Sequence, residues 1–253
     1  DGVDARLIEV ETDVHTGLHT FTIVGLADKA LSESKERINA ALKNSGFKEP
    51  SRENKKIVVN LAPADIKKAG SQYDLAIALG FLVASGQVKD FGGEQYLVLG
   101  ELALDGSVRA VSGAMNTAHL AVKQGIPFLI VPGANAREAA MVSGVTVYAA
   151  HSLNDIVAHL EGNRLLSAQE RTKPIHKPYH GPTIEDVKGQ AAAKRALLIA
   201  AAGGHNLLMV GPPGTGKTML AQALISLLPQ PHDSEIAEMT QIYSAAGLLG
   251  SDP

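Results

Sequence analysis

The sequence predicts a mixed α/β protein with two successive folded regions. Short apolar runs alternate with helical patterns through the first 160 residues, and a proline-containing stretch then interrupts this alternation. After it, a short apolar run leads into a glycine-rich loop and another helix. With 253 residues, the chain also fits two domains at roughly 100–200 residues each. We therefore expect domains at residues 1–163 and 183–253, joined by a linker at 164–182.

In the first region, strands and helices follow from the spacing of apolar residues. Ile38, Ala41 and Leu42 lie at helical spacing, and Gly46 is a stop signal, so residues 32–44 are predicted to be a helix. The other predicted helices are residues 74–85, which are apolar almost all round and should be buried, 115–124, 136–143 and 154–160. The predicted strands are residues 7–10, 20–24, 56–61, 96–99, the region of Val108, 128–131 and 145–148. Asp105-Gly106 is predicted to form a turn between the strands at 96–99 and Val108.

The linker and the second region have different compositions. Prolines spread through residues 164–182 forbid a continuous helix, and the stretch is locally basic, which suggests a solvated connector or a contact with a nucleic-acid backbone. Beyond it, residues 189–202 are rich in alanine and predict a helix. Residues 206–210 predict a short strand, and residues 219–228 predict a helix that ends before Pro229.

Between that predicted strand and helix lies a complete phosphate-binding motif, G-x-x-x-x-G-K-[ST]. Its residues are Gly211, Pro212, Pro213, Gly214, Thr215, Gly216, Lys217 and Thr218. Glycines let backbone N–H groups turn toward phosphate oxygens, and the helix that follows directs its positive end to the same place. We expect Lys217 to contact the β- and γ-phosphates and Thr218 to offer its hydroxyl to Mg²⁺. ATP and magnesium are therefore the expected cofactors.

A second segment, Asp186–Gln190, precedes the first helix of this region. One interpretation is a plain helix start, capped by Thr183 or Asp186. The other places Val187 and Gly189 against the adenine ring.

The residues needed for hydrolysis are not recognisable in the sequence. None of the acidic residues after Pro229 follows an apolar strand, and no arginine follows Arg195. We therefore expect no catalytic residue here, because the acidic strand and the arginine finger are absent from these 253 residues. The expectation is nucleotide binding without turnover.

Composition excludes some classes of protein. There is no cysteine, which excludes disulfides and thiolate metal sites and fits a cytoplasmic protein. No apolar run approaches the roughly 20 residues that span a bilayer, so no membrane partner is expected. The net charge of −3 gives no general attraction to nucleic acid. The first residues do not look like a natural start, so we expect the amino terminus to be trimmed.

Several motifs resemble the bacterial magnesium-chelatase-like AAA+ ATPase family, the group of YifB and ComM. They occur in order along essentially the whole chain: Phe21–Leu26, Glu33–Arg37, Val59–Asp65, Tyr73–Gly80, Gly100–Leu102 with Asp105-Gly106, and Ala202–Leu208. The resemblance implies an AAA+ module after the linker, with Asp186–Gln190 on its adenine side. It implies a Lon-protease-like α+β domain, of the ribosomal S5 domain 2 type, before the linker. A homo-hexamer is implied for the full-length protein.

The Lon-like resemblance raises the alternative of a Ser-Lys protease. The position of the nucleophile falls on Gln72, with Ser71 one residue away, and the position of the lysine falls on Met115. A serine requires an adjacent base to become a nucleophile. We therefore expect no protease activity.

Three functions remain open at this point. In the ComM group, the resemblance implies an ATP-dependent DNA helicase that promotes branch migration in recombination of transforming DNA, with DNA as a partner. The alternative is a magnesium-chelatase-like motor subunit that couples ATP hydrolysis to metal insertion or to remodelling of a protein partner. The third is a nucleotide-binding scaffold without motor action. The sequence leaves the target, the oligomeric state and the role of the first domain undetermined.

Overall fold

The computed structural model describes residues 3–26, 28–52, 54–68, 70–174 and 179–249 of the chain. The chain divides into two compact units. The large unit comprises Asp1–Pro174 and Ala237–Pro253, and the P-loop unit comprises Ile175–Ile236. The domain boundaries predicted above stay a prediction.

The first sheet of the large unit contains β1 (Glu9–Thr16), β2 (Thr20–Val24) and β3 (Lys55–Ala62), in the order β1-β3-β2. β1 runs antiparallel to β3, and β2 runs parallel to it. The strand predicted at residues 7–10 begins later and extends to Thr16, because all eight residues of β3 pair with it. Alternate residues of β3 (Ile57, Val59 and Leu61) are buried, as expected for a strand with one face on the core.

Two helices cover this sheet. α1 (Lys29–Asn44) begins at Asp28, whose side chain accepts a hydrogen bond from the Leu31 N–H at 2.8 Å. α2 (Asp74–Ala84) buries most of its apolar residues, as its sequence predicts. Their apolar faces join the strands in one core that contains Ile38, Leu61 and Leu82.

A buried ion pair joins α1 to α2. The Arg37 guanidinium donates to both carboxylate oxygens of Asp74, at 2.7 and 3.2 Å, and also to Ser34 Oγ at 2.7 Å. The side chain of Asp74 is fully buried. Burial raises the pKa of Asp74 above its ordinary value, although the hydrogen bond from Arg37 acts in the opposite direction. The same hydrogen bond raises the pKa of Arg37.

The second sheet of the large unit is parallel, in the order β4 (Tyr96–Val98), β7 (Phe128–Pro132), β8 (Thr146–Ala150). The helices around it are α3 (Ala114–Gln124), α4 (Ala136–Ala139) and α5 (Leu153–Leu160). α4 is only four residues long, whereas the sequence predicted a helix to residue 143. After α4, the Met141 and Val142 N–H groups donate to the carbonyls of Glu138 and Ala139, three residues earlier, so the chain continues as turns and not as an α-helix.

The Asp105-Gly106 turn leads into the predicted strand at Val108, but the strand before the turn is not the predicted one at 96–99. It connects β5 (Glu101–Leu102) to β6 (Val108–Arg109), which pair antiparallel. Gly106 has a φ of 85°, and the Asp105 carboxylate accepts from the Ser107 N–H at 2.9 Å. The turn itself was predicted from its residue types, whereas its partner strand is too short to leave a pattern.

The first part of the predicted linker is bound to the large unit. Leu166 N–H donates to His159 Nδ1 at 3.1 Å, and Gln169 N–H donates to the Val147 carbonyl at 2.8 Å. Thr172 N–H donates to the Ala140 carbonyl at 3.1 Å. Residues 175–178 of the linker lie outside the described residues.

The P-loop unit contains α6 (Ala191–Gly203), α7 (Lys217–Ile225) and the start of α8 (Asp233–Ala245). Its buried core consists of Val187, Leu197, Leu220 and Ala223. The sequence did not predict α8. Its first turn is acidic, and Glu235 accepts from the His232 N–H at 2.7 Å, which is the capping signal that sequence reading missed.

The prediction of a strand at residues 206–210 is wrong. These residues have no regular secondary structure, and Leu208 and Val210 are each 86% exposed. A β-strand requires a hydrogen-bonded neighbour. The described part of the P-loop unit contains no strand that could pair with this segment. Apolar composition alone was therefore insufficient to predict the state of these residues.

Candidate functional site

The glycine-rich loop at residues 211–216 has the backbone conformation that phosphate binding requires. Gly214 and Gly216 have φ angles of 80° and 82°, in the left-handed region that side chains disfavour. A Cβ added at either position would meet no atom within 4 Å. The glycines are therefore required by the backbone conformation and not by close packing, and there is open space beside the loop.

The loop leads directly into the amino terminus of α7. Gly216 is the N-cap, and no side chain caps this end of the helix. The first hydrogen bond of the helix runs from the Leu220 N–H to the Gly216 carbonyl at 2.9 Å. The N–H groups of the first turn consequently lack helical partners, and together with the helix dipole they favour an anion.

Lys217 is folded over the loop. Its Nζ donates to the carbonyls of Gly211 at 2.8 Å and Pro212 at 2.7 Å, and it approaches Thr215 Oγ1 at 3.5 Å. The ammonium group is thus held at the loop itself, where a phosphate oxygen would compete with neutral carbonyls for it. A phosphate carries full charge, so its hydrogen bonds to Lys217 would be the stronger ones.

Two threonines complete the loop. Thr215 Oγ1 donates to the Pro212 carbonyl at 2.9 Å, which closes the turn internally. Thr218 lies in the first turn of α7 and is exposed. A hydroxyl at that place fits the predicted role as a Mg²⁺ ligand beside the phosphates.

The segment predicted on the adenine side forms its own turn. The Thr183 N–H and hydroxyl both donate to Asp186 Oδ2, at 2.8 and 3.1 Å, and these bonds lower the pKa of Asp186. Asp186 therefore caps this turn, and α6 begins only at Ala191, after Gln190. The interpretation that Thr183 or Asp186 caps the helix is therefore wrong, because Gln190 is the N-cap of α6 and no side chain caps this helix.

The two residues predicted to face adenine differ in their surroundings. The Val187 side chain is 6% exposed and belongs to the buried core of the P-loop unit. Gly189 has a φ of 67°, and an added Cβ would meet no atom within 4 Å. The adjacent Gln190, which the sequence did not single out, places Nε2 3.5 Å from the Thr215 carbonyl. That approach brings the segment next to the phosphate loop.

The residues that the sequence aligned with a Lon-type Ser-Lys pair, Gln72 and Met115, are neither a serine nor a lysine. Ser71 Oγ donates to a carboxylate oxygen of Glu101, Gln72 is half-buried, and Met115 is buried. A carboxylate that accepts a hydrogen bond from the serine hydroxyl does not replace the missing lysine.

Other sites were sought in the described ranges. In residues 3–249, apart from the gaps given above, no three histidine, aspartate or glutamate side chains are grouped closely enough to hold a metal ion. Within the same ranges, no helix combines the length and the apolar character needed to cross a bilayer.

A glycine loop with open space beside it, a lysine held over it and an uncapped helix end are the features that the phosphate-binding motif of the sequence predicts. The sequence matches the family described as "Subunit ChlI of Mg-chelatase" over residues 10–135. It matches "Magnesium chelatase, subunit ChlI" over residues 183–252. The chain belongs to the magnesium-chelatase-like YifB/ComM family, which is related to the AAA+ ATPases.

Curated relatives match over nearly the whole chain. "Competence protein ComM" of Haemophilus influenzae is 44% identical over 247 residues, which is 96% of this chain and 48% of the relative. "Uncharacterized protein YifB" of Escherichia coli is 42% identical, over 96% of this chain and 47% of the relative. The chain thus spans about half the length of these relatives. A shorter match, 41% identical over 61 residues, is to "Archaeal Lon protease" of Archaeoglobus fulgidus.

Proposed function

We propose that the P-loop unit binds ATP or ADP with Mg²⁺, as the nucleotide-binding part of an AAA+ motor. The observation that carries the proposal is the pair of left-handed glycines, Gly214 and Gly216, in front of the uncapped end of α7. Together with Lys217, they present backbone N–H groups and one positive charge to a single open space. This chemistry suits the phosphates of a nucleotide.

Each residue of the loop has an assigned part in this proposal. Gly211–Thr215 provide the turn, Gly216 and the first turn of α7 provide N–H donors, and Lys217 neutralises the β- and γ-phosphates. Thr218 offers its hydroxyl to Mg²⁺, which would supply charge neutralisation of the phosphates. Val187 and Gly189 remain the proposed adenine-side residues, with the Val187 backbone as the contacting part because its side chain is buried.

Isothermal titration calorimetry with Mg-ADP and Mg-ATP tests the proposal. Lys217→Ala is expected to weaken binding at least about tenfold, as loss of a charge-assisted contact predicts. Lys194→Ala removes the same charge from α6, outside the loop, and is the matched control with unchanged affinity. Equal affinity of Lys217→Ala and the unchanged protein would remove the basis of the proposal.

For the full-length protein, we propose an ATP-dependent DNA helicase or branch-migration motor of the ComM type. The support is the 44% identity to "Competence protein ComM" along almost the whole chain. The large unit is proposed to have the Lon-like fold, supported by the short match to a Lon protease. The assembly is proposed to be a homo-hexamer, because AAA+ sites normally lie between subunits.

Fluorescence anisotropy of the full-length protein with forked and four-way DNA tests the motor proposal. Binding is expected to strengthen with ATP and to weaken steeply as salt is raised, because phosphate contacts release counterions. Lys217→Ala should abolish the effect of ATP and leave the salt dependence. Absence of salt-sensitive binding in every nucleotide state would exclude DNA as the partner.

A second candidate is a magnesium-chelatase-like motor that acts on metal insertion or on a protein partner. The observation in its favour is that both matched family descriptions are those of the chelatase subunit ChlI. In that case, ATP turnover by the full-length protein would be insensitive to DNA. The same titrations therefore distinguish the two candidates.

A further inference from the structure

Gln190, the N-cap of α6, has an uncommon backbone conformation. Its φ is 54° and its ψ is 39°, in the left-handed region. Among the described residues, Gln190 and Leu26 are the only residues other than glycine with a positive φ. Such conformations are disfavoured for residues with a side chain, and they persist where the surrounding structure requires them. Because glycine would adopt this conformation freely, the side chain of Gln190 needs a role.

The side chain of Gln190 does not cap its own helix. An N-cap side chain normally accepts a hydrogen bond from an N–H of the first helical turn, but α6 has no such bond. Instead, the amide of Gln190 is directed at the glycine-rich loop, where its Nε2 lies 3.5 Å from the Thr215 carbonyl oxygen. This distance is at the outer limit of a hydrogen bond. Both residues belong to the P-loop unit.

The Thr215 carbonyl receives no hydrogen bond from the helix that follows it. The hydrogen bonds of α7 begin with the one from the Leu220 N–H to the Gly216 carbonyl, one residue after Thr215. In the part of the chain that the structure describes, Gln190 Nε2 is the only donor that approaches the Thr215 carbonyl. A single side chain therefore ties the glycine-rich loop to the segment before α6.

The Thr215 carbonyl belongs to the same peptide group as the Gly216 N–H. In a trans peptide these two groups point in opposite directions, so a donor that holds the carbonyl also directs the N–H away from Gln190. Within the described ranges, the Gly216 N–H has no acceptor. Gly216 permits more than one orientation of this peptide group, because glycine is free in φ. The orientation of its N–H therefore depends on what holds the carbonyl.

We propose that Gln190 is a positioning residue, which holds the Thr215–Gly216 peptide group so that its N–H faces the phosphates of the nucleotide. This inference rests on the nucleotide binding proposed above. When a phosphate accepts from the Gly216 N–H, the peptide group is polarised and its carbonyl becomes a better acceptor. The contact with Gln190 is therefore expected to shorten in the complex, as hydrogen bonds of binding sites often do.

This role differs from a contact with the base, although Gln190 directly follows the proposed adenine-side residue Gly189. If Gln190 acts through the Gly216 N–H, its loss weakens every ligand whose phosphates reach the loop, with or without adenine. If Gln190 contacted adenine instead, its loss would not affect a ligand that has no base. Magnesium pyrophosphate has the phosphates without the base and therefore separates the two roles.

Titration calorimetry with Mg-ADP, and with magnesium pyrophosphate in competition with Mg-ADP, tests the proposal. Gln190→Met keeps the length of the side chain without an N–H donor or a charge. It is expected to weaken both ligands at least about fivefold, as the loss of part of one charge-assisted hydrogen bond predicts. Gln222→Met makes the same change at an exposed position in α7 and is the matched control, with both affinities unchanged.

Two further measurements separate positioning from a purely structural role. In a nitrogen-15-labelled chain, Mg-ADP is expected to shift the amide proton of Gly216 downfield, because this N–H then donates to a phosphate, and Gln190→Met should reduce that shift. Gln190→Gly removes the side chain and relieves the backbone conformation, so it should fold at least as stably and still lose affinity. If only the backbone conformation at this position mattered, Gln190→Gly would bind as tightly as the unchanged chain, which would overturn the proposal.

The outcomes also separate this inference from the proposed function. Equal affinities of Gln190→Met and the unchanged chain for Mg-ADP would overturn the inference, while the proposed function would stand if Lys217→Ala still weakened binding. A loss of Mg-ADP affinity with an unchanged affinity for pyrophosphate and an unchanged Gly216 shift would identify a contact with the base, and would overturn it too. If the unchanged chain bound neither ligand, the proposed function would fail, and the inference with it.

Discussion

The large unit and the P-loop unit differ in how their apolar side chains are covered. One cluster in the large unit joins twenty buried apolar residues from both sheets and the helices around them, whereas the cluster in the P-loop unit has four. Large apolar side chains of the P-loop unit remain exposed, such as Leu198, Ile199 and Ile225, each more than half exposed. The contrast is between a core built from distant segments and one built from adjacent helices.

The glycine-rich loop of the phosphate-binding motif lies in the less covered unit. Its conformation depends on Gly214, Gly216 and the start of α7, which are adjacent in sequence. Turn and helix-end geometry requires no distant partner, whereas a sheet does. The loop can therefore form locally although residues 206–210, which precede it, adopt no strand.

The first prediction tests the contrast directly and has the largest expected effect. Amides of β3 and α2 are expected to exchange at least about 1,000-fold more slowly than those of α6 and α7, because exchange from a core requires opening of that core. Hydrogen exchange with mass spectrometry, without nucleotide, measures both units in one sample. Equal protection of the two units would show that exposed apolar area does not weaken the P-loop unit.

The second prediction concerns the buried ion pair of the large unit. Asp74→Ala is expected to lower its free energy of unfolding by about 3–5 kcal/mol, because Arg37 would lose the carboxylate that offsets its desolvation. Urea denaturation, followed by exchange of β3 amides, measures the change. Asp13→Ala is the control, since the Asp13–His15 pair is exposed and its loss should cost about 0.5 kcal/mol or less. Similar costs for the two variants would contradict the assigned role of burial.

The features that could be predicted from the sequence are those that depend on local interactions. The phosphate loop, α2 and the Asp105-Gly106 turn each depend on residues close in sequence, and the sequence located all three. The pairing of β5 with β6, the burial of Val187 and the state of residues 206–210 depend on distant or absent neighbours. These were missed or wrong, because residue type and spacing carry no information about which segments meet.

The Arg37–Asp74 pair illustrates the same limit within the large unit. Both residues lie in motifs that support the family resemblance, but no sequence pattern connects these two positions, which are 37 residues apart. A buried aspartate at the start of an all-apolar helix was a signal that a positive partner must exist. The identity of that partner required the structure.

The third prediction concerns the small buried core of the P-loop unit. Leu220→Ala is expected to cost about 2 kcal/mol, near the lower limit for a buried leucine, because the small core can relax around the lost volume. Leu208→Ala, at a position that is 86% exposed, is the matched control and should change stability by less than about 0.5 kcal/mol. Exchange rates of α6 amides measure both. If both variants had the same small effect, the four-residue cluster would not act as a core.

The last prediction separates the units by their response to pH. His159 is buried in the large unit, and burial lowers its pKa. Its Nδ1 accepts from the Leu166 N–H, a bond that protonation at Nδ1 would break. Because the unfolded state then binds protons more readily, this contribution to stability is complete above about pH 6.5 and is lost as the pH falls toward the lowered pKa.

The described histidines of the P-loop unit, His180, His205 and His232, are exposed, unlike His159. Urea titrations between pH 5 and 7, read by amide exchange in each unit, should show a loss of about 1 kcal/mol in the large unit, comparable to one hydrogen bond. His159→Asn keeps an acceptor near the Leu166 N–H without titrating, and should flatten that dependence. If the pH dependence persisted in His159→Asn, or appeared equally in the P-loop unit, the burial of His159 would not be its cause. The expected loss of stability is small, but it depends on a histidine that is buried in the core of the large unit. It therefore tests the difference in burial between the two units without changing any apolar side chain.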